Sequence, residues 1–75
     1  MNDIDFSLNA GKVLKRLIRD NYDTQEEFAY DFGTDIRTVS RYVNQGINKV
    51  SVLQELASFF RISITDFFYT KKDDD

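Results

Sequence analysis

Apolar side chains recur along this chain at helical spacing, separated by short polar breaks. Leu14, Leu17 and Ile18 follow Leu8, with Lys12, Lys15, Arg16 and Arg19 set between them, which predicts an amphipathic first helix from about Leu8 to Asp20. Ser7 or Asn9 is placed to cap it. After the polar break Asn21-Tyr22-Asp23, the run Thr24-Gln25-Glu26-Glu27 has the form of a capping box, in which Thr24 and Glu27 satisfy each other's backbone donors. Phe28, Ala29 and Phe32 set the inner face of this second helix, and Gly33 ends it after about two turns as a left-handed cap. Thr34 then caps a third helix with Asp35 in its first turn, and Val39, Tyr42 and Val43 face inward as far as Asn44-Gln45-Gly46. Residues Ile47 to Val50 read as a loop. Leu53, Leu56, Ala57 and Phe60 form the stripe of a fourth helix, and Ser63-Ile64-Thr65-Asp66 is a second capping box opening a short fifth helix through Phe67, Phe68 and Tyr69.

The pattern divides the chain into a leader over residues 1–7, one domain over 8–70 and an acidic, disordered tail over 71–75. The expected fold class is all-α. One modest core should hold Leu14, Leu17, Phe28, Ala29, Val39, Leu53, Leu56 and Phe60. The aromatic cluster Phe59, Phe60, Phe67, Phe68 and Tyr69 exceeds what so small a core buries, so part of it is expected at a subunit interface.

Composition narrows the chemistry. The 75 residues include no Cys and no His, which excludes disulfides, thiol nucleophiles, imidazole catalysis and the common zinc-ligand sets. No cofactor or metal is expected, and no catalytic constellation of carboxylates stands out, so an enzyme is set aside. The chain has no apolar run of the roughly 18 residues needed to cross a bilayer, nor a basic start leading into an apolar stretch, and a cytoplasmic protein is expected. A formal charge of −3 opposes nucleic-acid binding at first sight. Much of it, however, sits in Asp3 and Asp5 and in Asp73, Asp74 and Asp75. Between Gly11 and Arg61 the bases Lys12, Lys15, Arg16, Arg19, Arg37, Arg41, Lys49 and Arg61 nearly balance the acids.

The stretch from Thr24 to Gly33, followed by Thr34 to Gly46, resembles the helix-turn-helix of the Cro/C1-type phage repressors and their bacterial relatives. The segments Leu53–Phe60 and Ile62–Phe68 are similar to that family's fourth and fifth helices, so the likeness runs from about Leu8 to Phe68. A small residue at Ala29, glycine at Gly33 and an aliphatic at Val39 have the spacing that lets the two helices cross closely. The resemblance implies a five-helix, lambda-repressor-like domain whose third helix lies in the major groove of DNA. By position, Ile36, Arg37, Thr38 and Arg41 correspond to base readers. Arginine can grip guanine in a bidentate way, and Ile36 can meet a thymine methyl. Gln25 and Asn44 match phosphate-contacting positions, with Ser40 and Lys49 as further phosphate candidates.

Each of these residues also has a plainer reading. Arg37 and Arg41, four apart with Asp35 nearby, fit a solvated charged face, Gln25 a polar first-turn residue and Asn44 a helix-end residue. The chain departs from the family at Asp23, where an apolar residue is usual and Tyr22 is left to fill the gap. It departs again at Ile18 and Val43, which replace a buried Arg and Glu pair by an apolar contact. Asp31 and Asp35 fall near the presumed DNA face and would repel phosphate. The sequence-based expectation is a transcriptional regulator, a repressor or Cro-like switch, that binds double-stranded DNA as a homodimer through the C-terminal aromatic helix, with a partner protein as the route to regulation. The competing expectation is a protein-interaction module that keeps the fold without binding DNA.

Overall fold

The computed structural model describes residues 3–68, and side chains from Ser7 onward. Four α-helices follow one another: α1 (Asp3–Asn21), α2 (Gln25–Phe32), α3 (Ile36–Gln45) and α4 (Val50–Phe60), with a single 3-10 turn, Ile64–Phe67, after them. Among the described residues there is no strand, and the fold class is all-α. Tyr69 and the 71–75 tail lie outside the described residues.

The first helix starts at Asp3, five residues before the expected Leu8, so residues 3–7 of the expected leader are helical. Neither Ser7 nor Asn9 caps it. Both stand inside the helix and make tertiary bonds instead: the Ser7 carbonyl accepts the Ile47 N–H at 3.1 Å, and the Asn9 side-chain amide donates to the Phe67 carbonyl at 3.0 Å. These bonds tie α1 to the loop after α3 and to the C-terminal turn. α1 packs chiefly on α3. Gly11 makes that approach possible, since a Cβ there would stand 2.5 Å from the Tyr42 carbonyl oxygen.

The second helix is capped at both ends. The Thr24 hydroxyl accepts the Glu27 N–H at 3.1 Å, but the Glu27 carboxylate takes the Asp23 N–H at 3.2 Å instead of that of Thr24, so the reciprocal box is displaced by one residue. At the other end Gly33 adopts φ 90°, and the N–H groups of Gly33 and Thr34 close on the Ala29 carbonyl. Such a left-handed cap favours glycine because it carries no Cβ. The third helix begins one residue later than expected. Asp35, not Thr34, is its N-cap, its carboxylate accepting the Thr38 N–H at 2.8 Å. Two adjacent residues were equally suited to capping, and the three-residue connection from Gly33 to Asp35 leaves the second of them in extended geometry.

The core comprises Ala10, Val13, Leu14, Ile18, Phe28, Ala29, Val39, Ile47, Leu53, Leu56, Ala57 and Phe67. Leu17 and Phe60, expected within it, lie at its margin and are partly buried. Ile18 and Val43 both belong to this apolar assembly, Val43 at its edge. Phe28 is its aromatic centre: Phe32 and Phe60 stack on it at 5.3 and 5.5 Å between ring centroids, and Tyr22 and Phe59 meet it edge-on at 5.7 Å. Tyr22, just before the exposed Asp23, is thus packed at the margin of the core. Ile47, in the expected loop, is a buried anchor. No polar side chain is buried among the described residues, so packing carries the stability.

The expected fifth helix is a four-residue 3-10 turn. The Ser63 hydroxyl accepts the Thr65 N–H at 3.3 Å, and i to i+3 backbone bonds run from Asp66 to Ser63 and from Phe68 to Thr65. This tight winding drives Phe67 into the core, where it is fully buried. Phe67 therefore cannot serve an intersubunit contact, and Phe68, 36% exposed, is the aromatic of this segment left at the surface.

Candidate nucleic-acid interface

The third helix is held by one side and open on the other. Val39 has no exposed surface, and Tyr42 and Val43 flank it against the core. On a 3.6-residue repeat, Arg37, Arg41 and Asn44 fall together on the opposite side, and all three are exposed. No acidic residue occurs within Ile36–Gln45. Ile36, the first residue of the helix, is 39% exposed, so an aliphatic side chain stands at the helix start beside Arg37. Thr38 and Ser40 are half-buried at the sides of this face.

The polar candidates are partly committed to one another. The Asn44 side-chain amide donates to the Ser40 hydroxyl at 3.1 Å, one helical turn back. Lys49 is exposed at the start of α4, where its side chain makes no capping bond. Arg41 and Lys49 line one cavity of about 410 Å³ together with Gln45 and Asn48, so the end of α3 and the following loop bring two cations to a common space. Gln25 belongs to another element, as the half-buried first residue of α2.

The acids near this face have structural partners. Asp35 is held below the usual carboxylate range, first by its bonds to Thr38 and to a lesser degree by the Arg37 charge, while desolvation opposes the shift. It remains an anion at neutral pH. Asp31 accepts the Tyr22 hydroxyl at 3.1 Å. Burial, then that bond and the Asp31 charge, push the Tyr22 phenol above its ordinary value.

Charge differs between α2 and α3. The third helix carries Arg37 and Arg41 and no acid, α2 carries Glu26, Glu27 and Asp31 and no base, and α1 carries both signs, with Lys12, Lys15 and Arg19 exposed. The acidic residues of α2 are legible in the sequence as residue types, and the turn at Gly33 places them on a different element from the arginines of α3. Among the described residues no group of three or more His, Cys, Asp or Glu side chains is placed to hold a metal ion. No described helix is long and apolar enough to cross a membrane. Comparison of the chain with protein-family models, with curated proteins and with solved structures gives no match in any of the three.

Proposed function

We propose that this protein is a sequence-specific DNA-binding regulator of transcription, with α3 as the helix that enters the major groove. The observation that carries the reading is the two-sidedness of α3: Val39 is fully buried on its inner side, and its acid-free outer side exposes Arg37, Arg41 and Asn44. A short helix anchored in this way can present its first two turns to base edges without unpacking. The preceding turn supports the reading as well. Ala29 is buried, Gly33 is left-handed and three residues link α2 to α3, in keeping with the resemblance to the Cro/C1-type repressors. In that reading the 3-10 turn at Ile64–Phe67 takes the place of the fifth helix in a lambda-repressor-like domain.

Arg37 and Arg41 read bases, with Ile36 and Thr38 beside them, while Gln25, Ser40, Asn44 and Lys49 hold the backbone. With few cations at this face, affinity depends on a second copy on an adjoining half-site about one helical turn away. Phe68, 36% exposed in the C-terminal turn, joins such copies. A partner protein remains the route to regulation.

The acidic face of α2 favours a second reading, a protein-interaction module without DNA binding, because carboxylates there repel phosphate. Selection of binding sites from a random DNA pool at low salt separates the two. Enrichment of a pseudo-palindromic sequence supports the regulator; recovery of no preferred sequence supports the interaction module.

A further inference from the structure

Two exposed surfaces of opposite charge lie outside the α3 face. On α2, Glu26, Glu27, Tyr30 and Asp31 are exposed, and Tyr30 is 85% exposed, more than any other large apolar side chain described. With Tyr22 and Thr24 these residues line an open concavity of about 660 Å³. On α1, Lys12, Lys15 and Arg19 are exposed, spaced by three and four residues so that they share one side of the helix. Arg19 lies 3.9 Å from Asp20, so the two lysines carry most of this stripe.

We propose that these surfaces dock on one another between copies of this chain, with Lys12 and Lys15 of one copy entering the Tyr30 concavity of the next. An ammonium set over the Tyr30 ring is attracted by its π face, and the Glu26 and Glu27 carboxylates add to that attraction. The lysine stems supply apolar cover for a ring that is 85% exposed among the described residues. Exposed ion pairs alone contribute little, and the tyrosine provides the apolar anchor that such a contact needs. A second copy is the occupant because the chain carries both complementary halves, always at equal concentration. The contact joins unlike surfaces and so repeats head to tail, unlike a symmetric pairing at Phe68. It operates without DNA and is independent of the regulator reading.

Sedimentation of the full chain without DNA, in low salt and in about 0.5 M salt, tests this, because surface attraction is screened within a few ångströms at the higher value. Three proteins are compared: the wild type, Lys12→Glu with Lys15→Glu, and Glu26→Lys with Tyr30→Ala. The wild type should associate in low salt and fall back in high salt, its association constant dropping by about tenfold or more. Each variant alone should keep its high-salt mass in low salt. An equal mixture of the two should associate again, since one retains the acidic concavity and the other the lysines. If circular dichroism shows that a double variant unfolds, Lys15→Gln and Tyr30→Ala singly carry the same test. A wild-type mass that does not depend on salt, a variant that associates as the wild type does, or a mixture that fails to associate overturns the proposal. So does a Lys12→Glu, Lys15→Glu protein that loses DNA affinity while its low-salt mass equals that of the wild type, which assigns the stripe to DNA.

Discussion

The carboxylate of Asp35 accepts the backbone N–H of Thr38 at 2.8 Å, and this bond sets the residue at which α3 begins. It also places a fixed negative charge beside Arg37 at the end of the helix proposed to approach DNA. Capping and DNA binding therefore make opposite demands on this side chain. Asparagine caps a helix as well as aspartate and carries no charge. Asp35→Asn should keep the cap but melt slightly below the wild type at neutral pH, a gap that closes in acid, and should raise affinity for every DNA sequence, whereas Asp35→Ala should lower the melting temperature further. Because the folded pKa is depressed, the stabilisation specific to the charge is present above the ordinary value of 3.8 and is lost as pH falls through the folded value. Thermal melts at pH 7 and in acid, with DNA titrations, check both parts. Weaker DNA binding by the asparagine variant contradicts the placement of Asp35 beside the DNA face.

A methyl group at position 11 meets backbone, not a yielding side chain, because the Tyr42 oxygen belongs to α3 itself. Gly11→Ala should push α1 from α3 and cost about 1–3 kcal/mol in urea unfolding, despite alanine's higher helix propensity. Unchanged or increased stability would mean that the two helices separate freely.

The Tyr22 hydroxyl and the Asp31 carboxylate are joined at 3.1 Å, and the phenol is pushed above its ordinary value of 10.0. A raised folded pKa contributes stability that is fully present below the unfolded value and lost as pH rises through the folded one. Tyr22→Phe should therefore melt lower than the wild type at pH 8, with the gap closing in strong alkali. A gap that stays constant across this range contradicts the assignment of the bond.

Arg61 closes α4 in the left-handed region at φ 61°, a conformation in which a Cβ is strained. Arg61→Gly should stabilise the chain by about 0.5–1 kcal/mol, read by urea unfolding, because relief of that strain outweighs the added freedom of the unfolded chain.

The elements most legible in the sequence were those set by local chemistry. Thr24 and Gly33 bound α2 as their side-chain types require, and the periodicity about Val39 put Arg37, Arg41 and Asn44 on the outer side of α3. The elements misplaced were those decided by tertiary partners. Ser7 and Asn9 read as caps because nothing local reveals that Ile47 and Phe67 will bond to them. Phe67 and Phe68 are equivalent in sequence, and only the 3-10 winding sends the first inward. Thr34 and Asp35 were likewise interchangeable as caps until the length of the turn was known. At the candidate site, the charges could be read from residue types, but the cavity shared by Arg41 and Lys49 depends on how the loop after α3 folds back.

The central claim is that the outer side of α3 reads bases. Its most direct test is equilibrium binding of Arg37→Ala, Arg41→Ala, Gln25→Ala and Asn44→Ala to the selected operator and to unrelated DNA. Each arginine variant should lose about 1–3 kcal/mol on the operator and much less on unrelated DNA, so that selectivity relaxes. The Gln25 and Asn44 variants should weaken binding to both DNAs alike, with little change in salt dependence because no charge is lost. Equal losses for all four variants on every DNA, or a wild type that binds no selected DNA at low salt, would contradict the account.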